Sequence, residues 1–160
     1  MQDKIKLLNK WYIYHNKDNK WTKDTFLKIY EIYDSTSFWK LYNNINKLNF
    51  LSTKHLFLMK NDNIPLWEEE CNKNGGCWSY KINEEYALRL WEDLSVYMVC
   101  EKLCSTISEE IIGLSMCIKK NNFCVIKIWS SNSKNNSLKL INNDILKKWG
   151  INVIYISHII

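Results

Sequence analysis

The sequence predicts an α+β domain built on an antiparallel sheet. Strand-like and helix-like segments are intermixed without the regular alternation that a parallel sheet requires. Neighbouring strand segments can be joined by short turns, of which Lys120-Asn121-Asn122 is the clearest. With 160 residues, 46% of them hydrophobic, the chain has enough apolar side chain for one core. Pro65 is its one proline, and no repeat or linker divides it, so residues 1–160 read as a single domain, with 1–8 as a flexible N-terminal arm.

Taken in order, a strand is expected near Lys10 to His15, then a polar loop from Asn16 to Asp24, then a strand near Phe26 to Tyr33. Ser35 to Leu48 reads as a helix: Phe38, Leu41, Tyr42, Ile45 and Leu48 recur at helical spacing, and Ser35 or Thr36 can cap it. Strands follow at His55 to Lys60, Ile64 to Glu70 and Cys77 to Ile82. The longest helix is expected over Asn83 to Leu103, burying Leu88, Trp91, Leu94 and Met98 in a stripe that runs on to Lys102. Ile111 to Ile118 and Phe123 to Trp129 form a hairpin. A third helix starts at Ser137, buries Leu138, Ile141 and Ile145, and stops at Gly150, with Lys147 and Lys148 at its negative end. A last strand covers Asn152 to Ser157.

Composition restricts the function classes. The N-terminus has no apolar signal region and no run reaches the length of a membrane span, so a soluble, cytoplasmic monomer is expected, without membrane association. Six cysteines without a Cys-x-x-Cys pair, and three scattered histidines, read as free thiols in a reducing compartment, with no metal and no cofactor expected. A net charge of +5 and a pI near 8.8 favour a polyanionic partner. The four glycines, Gly75, Gly76, Gly113 and Gly150, allow neither a phosphate-binding Walker loop nor a dinucleotide fingerprint. No nucleophile with its base is evident, and the chain is expected not to be an enzyme.

The chemistry concentrates in Leu66-Trp67-Glu68-Glu69-Glu70, followed by Gly75-Gly76. An indole beside a carboxylate suits a flat, electron-poor ring with donors on one edge. Guanine methylated at its seventh nitrogen is such a ring, since its cationic face favours indole and its N1 and N2 hydrogens can reach one carboxylate. A second indole is available in Trp21, which lies in a charged run with no apolar periodicity. Further along, Val125, Lys127 and Trp129 share a strand face opposite Ile126 and Ile128, and Lys119 and Lys120 add charge at the adjoining turn, as a polyanionic partner would need. Trp11, Trp78, Trp91 and Trp149 read as core instead, because large aromatics are mostly buried.

These residues resemble the eukaryotic translation initiation factor 4E family, which binds the mRNA cap. The likeness extends from Asn9 to His158 and is carried by Asn9-Lys10-Trp11, Lys20-Trp21, Phe38-Trp39-Lys40-Leu41-Tyr42-Asn43, Leu66-Trp67-Glu68-Glu69-Glu70 with Asn72-Lys73 and Gly75-Gly76, Leu90-Trp91, Ile128-Trp129 and Ser157-His158. The resemblance implies a curved antiparallel sheet of about eight strands with three helices on its convex face and the ligand on the concave side. It implies Trp21 and Trp67 as a sandwich around the base, Glu68 as reader of the guanine edge, Trp129 near the methyl group, and Lys119, Lys127, Lys73 and Lys120 on the phosphates. It further implies that Trp39, on a polar helix face, and Val96 receive the scaffold initiation factor 4G or a 4E-binding protein.

The chain departs from the family at several points. Cys77 and Val125 stand where the family usually has an arginine and a lysine, and Ser35 stands where a valine precedes the partner-binding tryptophan. Ile5-Lys6-Leu7 replaces a His-Pro-Leu element. A C-terminal loop and closing strand of the family have no counterpart before Ile160, which implies a more open pocket. The expected function is to bind capped mRNA and recruit it for translation initiation. The alternatives are a cap-binding repressor that does not recruit the scaffold, a viral or parasite version favouring its own messages, and a nucleotide-processing enzyme using Glu68 and Glu110.

Overall fold

The computed structural model describes residues 4–16, 20–45 and 55–159. Seven strands form one curved antiparallel sheet in the order β2-β1-β3-β5-β6-β4-β7. They are β1 (Lys6–Asn16), β2 (Phe26–Asp34), β3 (His55–Lys60), β4 (Gly76–Asn83), β5 (Ile111–Ile118), β6 (Phe123–Ser130) and β7 (Val153–Ser157). The helices are α1 (Ser35–Tyr42), α2 (Glu84–Val99) and α3 (Asn143–Trp149).

Alternation along the strands sorts the side chains into two layers. Trp11, Ile13, Leu56, Leu58, Trp78, Leu114, Ile126 and Ile128 pack with the buried faces of the helices in the main core. On the opposite face Tyr14, Phe26, Phe57, Met59, Leu66, Cys77, Ile112 and Trp129 make a smaller cluster. The site is built over this second cluster.

Several local expectations are corrected. β1 starts at Lys6 rather than Lys10, because Ile5 is tied to Ser35: its carbonyl accepts from the Ser35 N–H at 2.8 Å and its N–H donates to Ser35 Oγ at 3.0 Å. Part of the segment read as an arm is therefore strand. Asp34, not Ser35 or Thr36, caps α1, its carboxylate accepting from the Ser37 N–H at 2.7 Å while Ser37 Oγ accepts from the Asp34 N–H at 3.1 Å. α1 ends at Tyr42, and the rest of the expected helix beyond residue 45, Leu48 included, lies outside the described residues.

α2 ends at Val99 because Glu101 takes a left-handed conformation (φ 60°) and the chain closes on itself, with Lys102 N–H donating to the Tyr97 carbonyl at 2.8 Å. Its buried stripe is Ala87, Leu90, Trp91, Leu94 and Met98, so Lys102 lies beyond it and is exposed. The third helix is split. Ser137 caps only a 3₁₀ turn, Leu138–Leu140. Asn142 then donates to the Lys102 carbonyl at 3.1 Å and accepts from Asp144 N–H at 2.8 Å, which interrupts the helix and restarts it as α3. The strand expected at Ile64 to Glu70 is a series of turns, for a reason that belongs to the site.

Candidate functional site

A cavity of about 380 Å³ opens on the sheet face away from the helices, with Trp21, Trp67, Cys77, Lys127, Trp129 and His158 in its walls. A narrower recess of about 190 Å³ shares Trp21, Lys127 and Trp129 with it and adds Lys119, Val125 and His55, so the two form one continuous slot. Two larger hollows lie elsewhere, about 540 Å³ beside Tyr33 on β2 and about 470 Å³ beside the start of α3, and neither offers two aromatic rings.

Trp21 is 49% exposed and Trp67 43% exposed, whereas Trp11, Trp78 and Trp91 are at most 1% exposed. Exposing two large aromatics is costly unless something covers them. Trp21 leans on a pre-formed wall, 5.1 Å edge-on from His55 and 5.9 Å from Phe26. Its loop is pinned from below: the Lys20 carbonyl accepts from Asn16 Nδ2 at 2.9 Å and from the Thr25 hydroxyl at 2.6 Å, and both donors are buried.

Trp67 stands on the turns between β3 and β4, and Asn72 shapes them. This amide is fully buried, and its Nδ2 donates to the carbonyls of Ile64 at 2.9 Å and Leu66 at 2.5 Å. Those carbonyls are thereby taken from any ladder, which is why Ile64 to Glu70 does not form a strand. The Asn72 carbonyl in turn accepts from His158 Nδ1 at 2.8 Å. With Nδ1 carrying the proton, His158 Nε2 presents a lone pair to Cys77 Sγ at 3.3 Å. Burial pushes the Cys77 thiol up to about 12, against a smaller opposing pull from Lys127, so Cys77 remains a protonated donor. The His158 ring then meets Trp67 at 6.4 Å and Trp129 at 5.3 Å, both edge-on. A glycine is needed where this loop enters β4, since a Cβ on Gly75 would fall on the Ser130 carbonyl oxygen.

The remaining candidates divide by position. Trp129 is buried at 7% exposure and its indole N–H donates to Ser115 Oγ at 3.0 Å, so it forms the floor. Lys127 projects with it, as strand parity requires, and Lys119 joins it at the recess. Glu68, next to Trp67 in the chain, is exposed and does not line the cavity. Lys73 pairs with Glu70 at 2.6 Å, and Lys120 is exposed in the β5–β6 turn, where Asn121 and Asn122 both have positive φ; neither lysine lines the slot. On the helical side, Trp39 is 43% exposed, with Phe38 edge-on at 5.0 Å, and Val96 is half-buried on α2. All six cysteines are free thiols.

A family model for eukaryotic initiation factor 4E matches residues 6–157. The chain belongs to the eukaryotic initiation factor 4E family. Among curated relatives, the translation initiation factor NCBP of Triticum aestivum is 28% identical over 127 residues, covering 79% of this chain and 53% of its own length. Initiation factor 4E-1B of Danio rerio is 30% identical over 136 residues, covering 81% of this chain and 63% of its own. The chain thus spans between about half and two thirds of the length of these family members. Among solved structures, Ascaris suum eIF4E-3 in complex with the m7G cap superposes with a TM-score of 0.80 at 20% identity, covering 98% of this chain and 92% of that one. Caenorhabditis elegans eIF4E-3, in complex with the 4E-binding protein Mextli and a cap analog, gives 0.82 at 21% identity, covering 98% and 94%. At such identities the superposition speaks for the fold.

Within this initiation factor 4E fold, sequence reasoning found the indoles and the Lys127 face but not the frame that holds them. Asn72 and His158 were visible only as parts of a family match. Cys77 was visible only as a missing arginine, and Asn16 and Thr25 carried no signal of their own. The usable clue was an asparagine in a loop that ends in two glycines, a residue type that captures nearby carbonyls.

Proposed function

We propose that this chain binds the 7-methylguanosine cap of mRNA as a non-catalytic, monomeric factor of translation initiation in the cytoplasm. The observation that carries the reading is the pair of half-exposed indoles, Trp21 and Trp67, bordering one slot that Lys127 and Lys119 also line. Their electron-rich faces suit a cationic purine. In this reading the base lies against Trp21 and Trp67 above Trp129, and Glu68, next to Trp67 in the chain, takes the N1 and N2 hydrogens. Lys127 and Lys119 hold the phosphates, with Lys73 and Lys120 acting from outside the slot. That the related eIF4E-3 chains were solved with a cap or cap analog supports it. Against a hydrolase, both oxygens of Glu110 are occupied by the Asn135 amide at 3.0 and 2.9 Å.

Titration of tryptophan fluorescence tests the reading. With 7-methyl-GTP the expectation is saturable, reversible quenching without turnover, with GTP binding at least about tenfold weaker because the cation–π contribution is absent. 7-Methylguanosine should also bind far more weakly, since it offers no phosphate to Lys119 and Lys127. Equal constants for GTP and 7-methyl-GTP would overturn the proposal.

For the partner, we place the helix of initiation factor 4G or a 4E-binding protein on the α1 face carrying Trp39, beside Val96 of α2. α1 and α2 adjoin through Tyr42, whose buried hydroxyl lies against Ser95 and Trp91 and is pushed above its ordinary range by desolvation. Trp39→Ala should abolish pull-down by such a helix while leaving cap quenching intact; retained pull-down would remove this surface from consideration. A repressor reading has one observation in its favour: Ser35, the position of a family valine, commits its hydroxyl to the Ile5 N–H.

A further inference from the structure

The two indoles stand on different loops. Trp21 precedes the short 3₁₀ turn Lys23–Thr25 that leads into β2, at one edge of the sheet, while Trp67 lies between β3 and β4. Each loop is internally braced, one by Asn16 and Thr25, the other by Asn72, but those hydrogen bonds do not set the distance between the loops. An ion pair does reach across: Lys23 Nζ lies 3.1 Å from Glu69 Oε1. The carboxylate end is well anchored, since the Glu69 carbonyl accepts from the N–H groups of Asn72 at 2.8 Å and Lys73 at 2.9 Å, and the side chain is only 25% exposed. The lysine is 67% exposed and approaches from the Trp21 side. Glu69 thus differs from its neighbours Glu68 and Glu70, both of which are exposed.

We propose that Lys23 and Glu69 form a latch that sets the spacing of the Trp21 and Trp67 rings, so that both are positioning residues for the cap base. The inference rests on the cap-binding reading above. Exposed pairs contribute little to global stability. The influence of this one falls on the width of the slot, because its two ends lie two residues from the two indoles. Preorganising the faces spares the ligand the cost of ordering them.

The latch can be separated from a plain field effect by sign. If Lys23 and Glu69 act only through their charges on the triphosphate, Lys23→Glu weakens binding and Glu69→Lys strengthens it. The latch requires both single reversals to weaken 7-methyl-GTP binding, by about fivefold each, and the double reversal K23E/E69K to return to within about twofold of the unmodified chain. Lys10→Glu, which breaks the exposed Lys10–Glu31 pair on the β1–β2 edge, carries the same charge change as Lys23→Glu and should leave the constant nearly unmoved. A Tm within a degree or two of the unmodified chain for each variant places the effect in the site rather than in the fold. Tighter binding by Glu69→Lys, or a double reversal no better than the weaker single, overturns the latch while leaving cap binding standing. Absence of quenching in the unmodified chain overturns both.

Discussion

Replacing Trp67 with alanine is expected to weaken 7-methyl-GTP binding by about 5- to 150-fold while leaving the melting temperature nearly unchanged. The range follows from about 1–3 kcal/mol for stacking a base on one aromatic face. The separation of binding from stability follows from the position of the ring: it is 43% exposed and its recorded ring contact is the edge of His158 at 6.4 Å. Trp78 is the useful contrast. At 1% exposure within the main core, its truncation is expected to cost about 3–5 kcal/mol and to unfold a large share of the protein. Trp21 falls between the two, because its ring also packs on Phe26, His55 and Phe57, so Trp21→Ala should lose affinity and some order in its loop together. Isothermal titration alongside thermal melts distinguishes these cases. A Trp67→Ala variant that binds the methylated nucleotide as well as the unmodified chain would remove the indole from the site.

The strands were legible where one sheet face is apolar and the other mixed. The alternation in Phe123 to Trp129 correctly separated Lys127 and Trp129 from Ile126 and Ile128, because the pleat leaves a side chain only two directions. Helix existence was legible for the same reason of periodicity, and so were the start of α2 at Asn83 and the stop of α3 at Gly150, but the cap of α1, the end of α2 and the start of α3 were not. Asp34 fixes the first through its hydrogen bonds with Ser37, Glu101 the second through its left-handed turn and its N–H to the Met98 carbonyl, and Asn142 the third through Lys102 and Asp144, and a pattern of apolar residues says nothing of these bonds. The strand assigned to Ile64 to Glu70 failed on the same ground. Ile64 and Leu66 have the composition of a strand, yet their carbonyls are claimed by a side chain several residues later.

Within the site, identity was more legible than arrangement. A tryptophan in a charged run has few reasons to exist, so Trp21 and Trp67 stood out as candidates, and both rings are half-exposed. Glu69 gave no such sign. In a row of three glutamates only the geometry of successive turns selects the one that faces Lys23, and that geometry depends on Asn72. Cys77 and His158, 81 residues apart in sequence, meet only because β7 pairs with β4.

Asn72→Ala is expected to be the most damaging single change in the loop, lowering stability by about 1–3 kcal/mol and the melting temperature by about 2–12 °C. Truncation removes both N–H donors from a fully buried position, so the Ile64 carbonyl keeps only the Leu66 N–H at 2.8 Å and the Leu66 carbonyl only the Glu69 N–H at 3.2 Å, each lost bond costing about 0.5–1.5 kcal/mol. Some of that is recovered where water enters the space. Cap affinity should fall as well, because the Asn72 carbonyl orients His158 and the loop carries Trp67 and Glu69. Asn72→Asp makes the argument sharper. It keeps the size of the side chain but replaces two donors by a charge that repels both carbonyls, so it should be at least as destabilising as alanine. If instead aspartate preserves the melting temperature and the quenching by 7-methyl-GTP, the amide hydrogens do not hold the loop, and the turn sequence from Leu66 to Lys73 must be stable by its backbone alone.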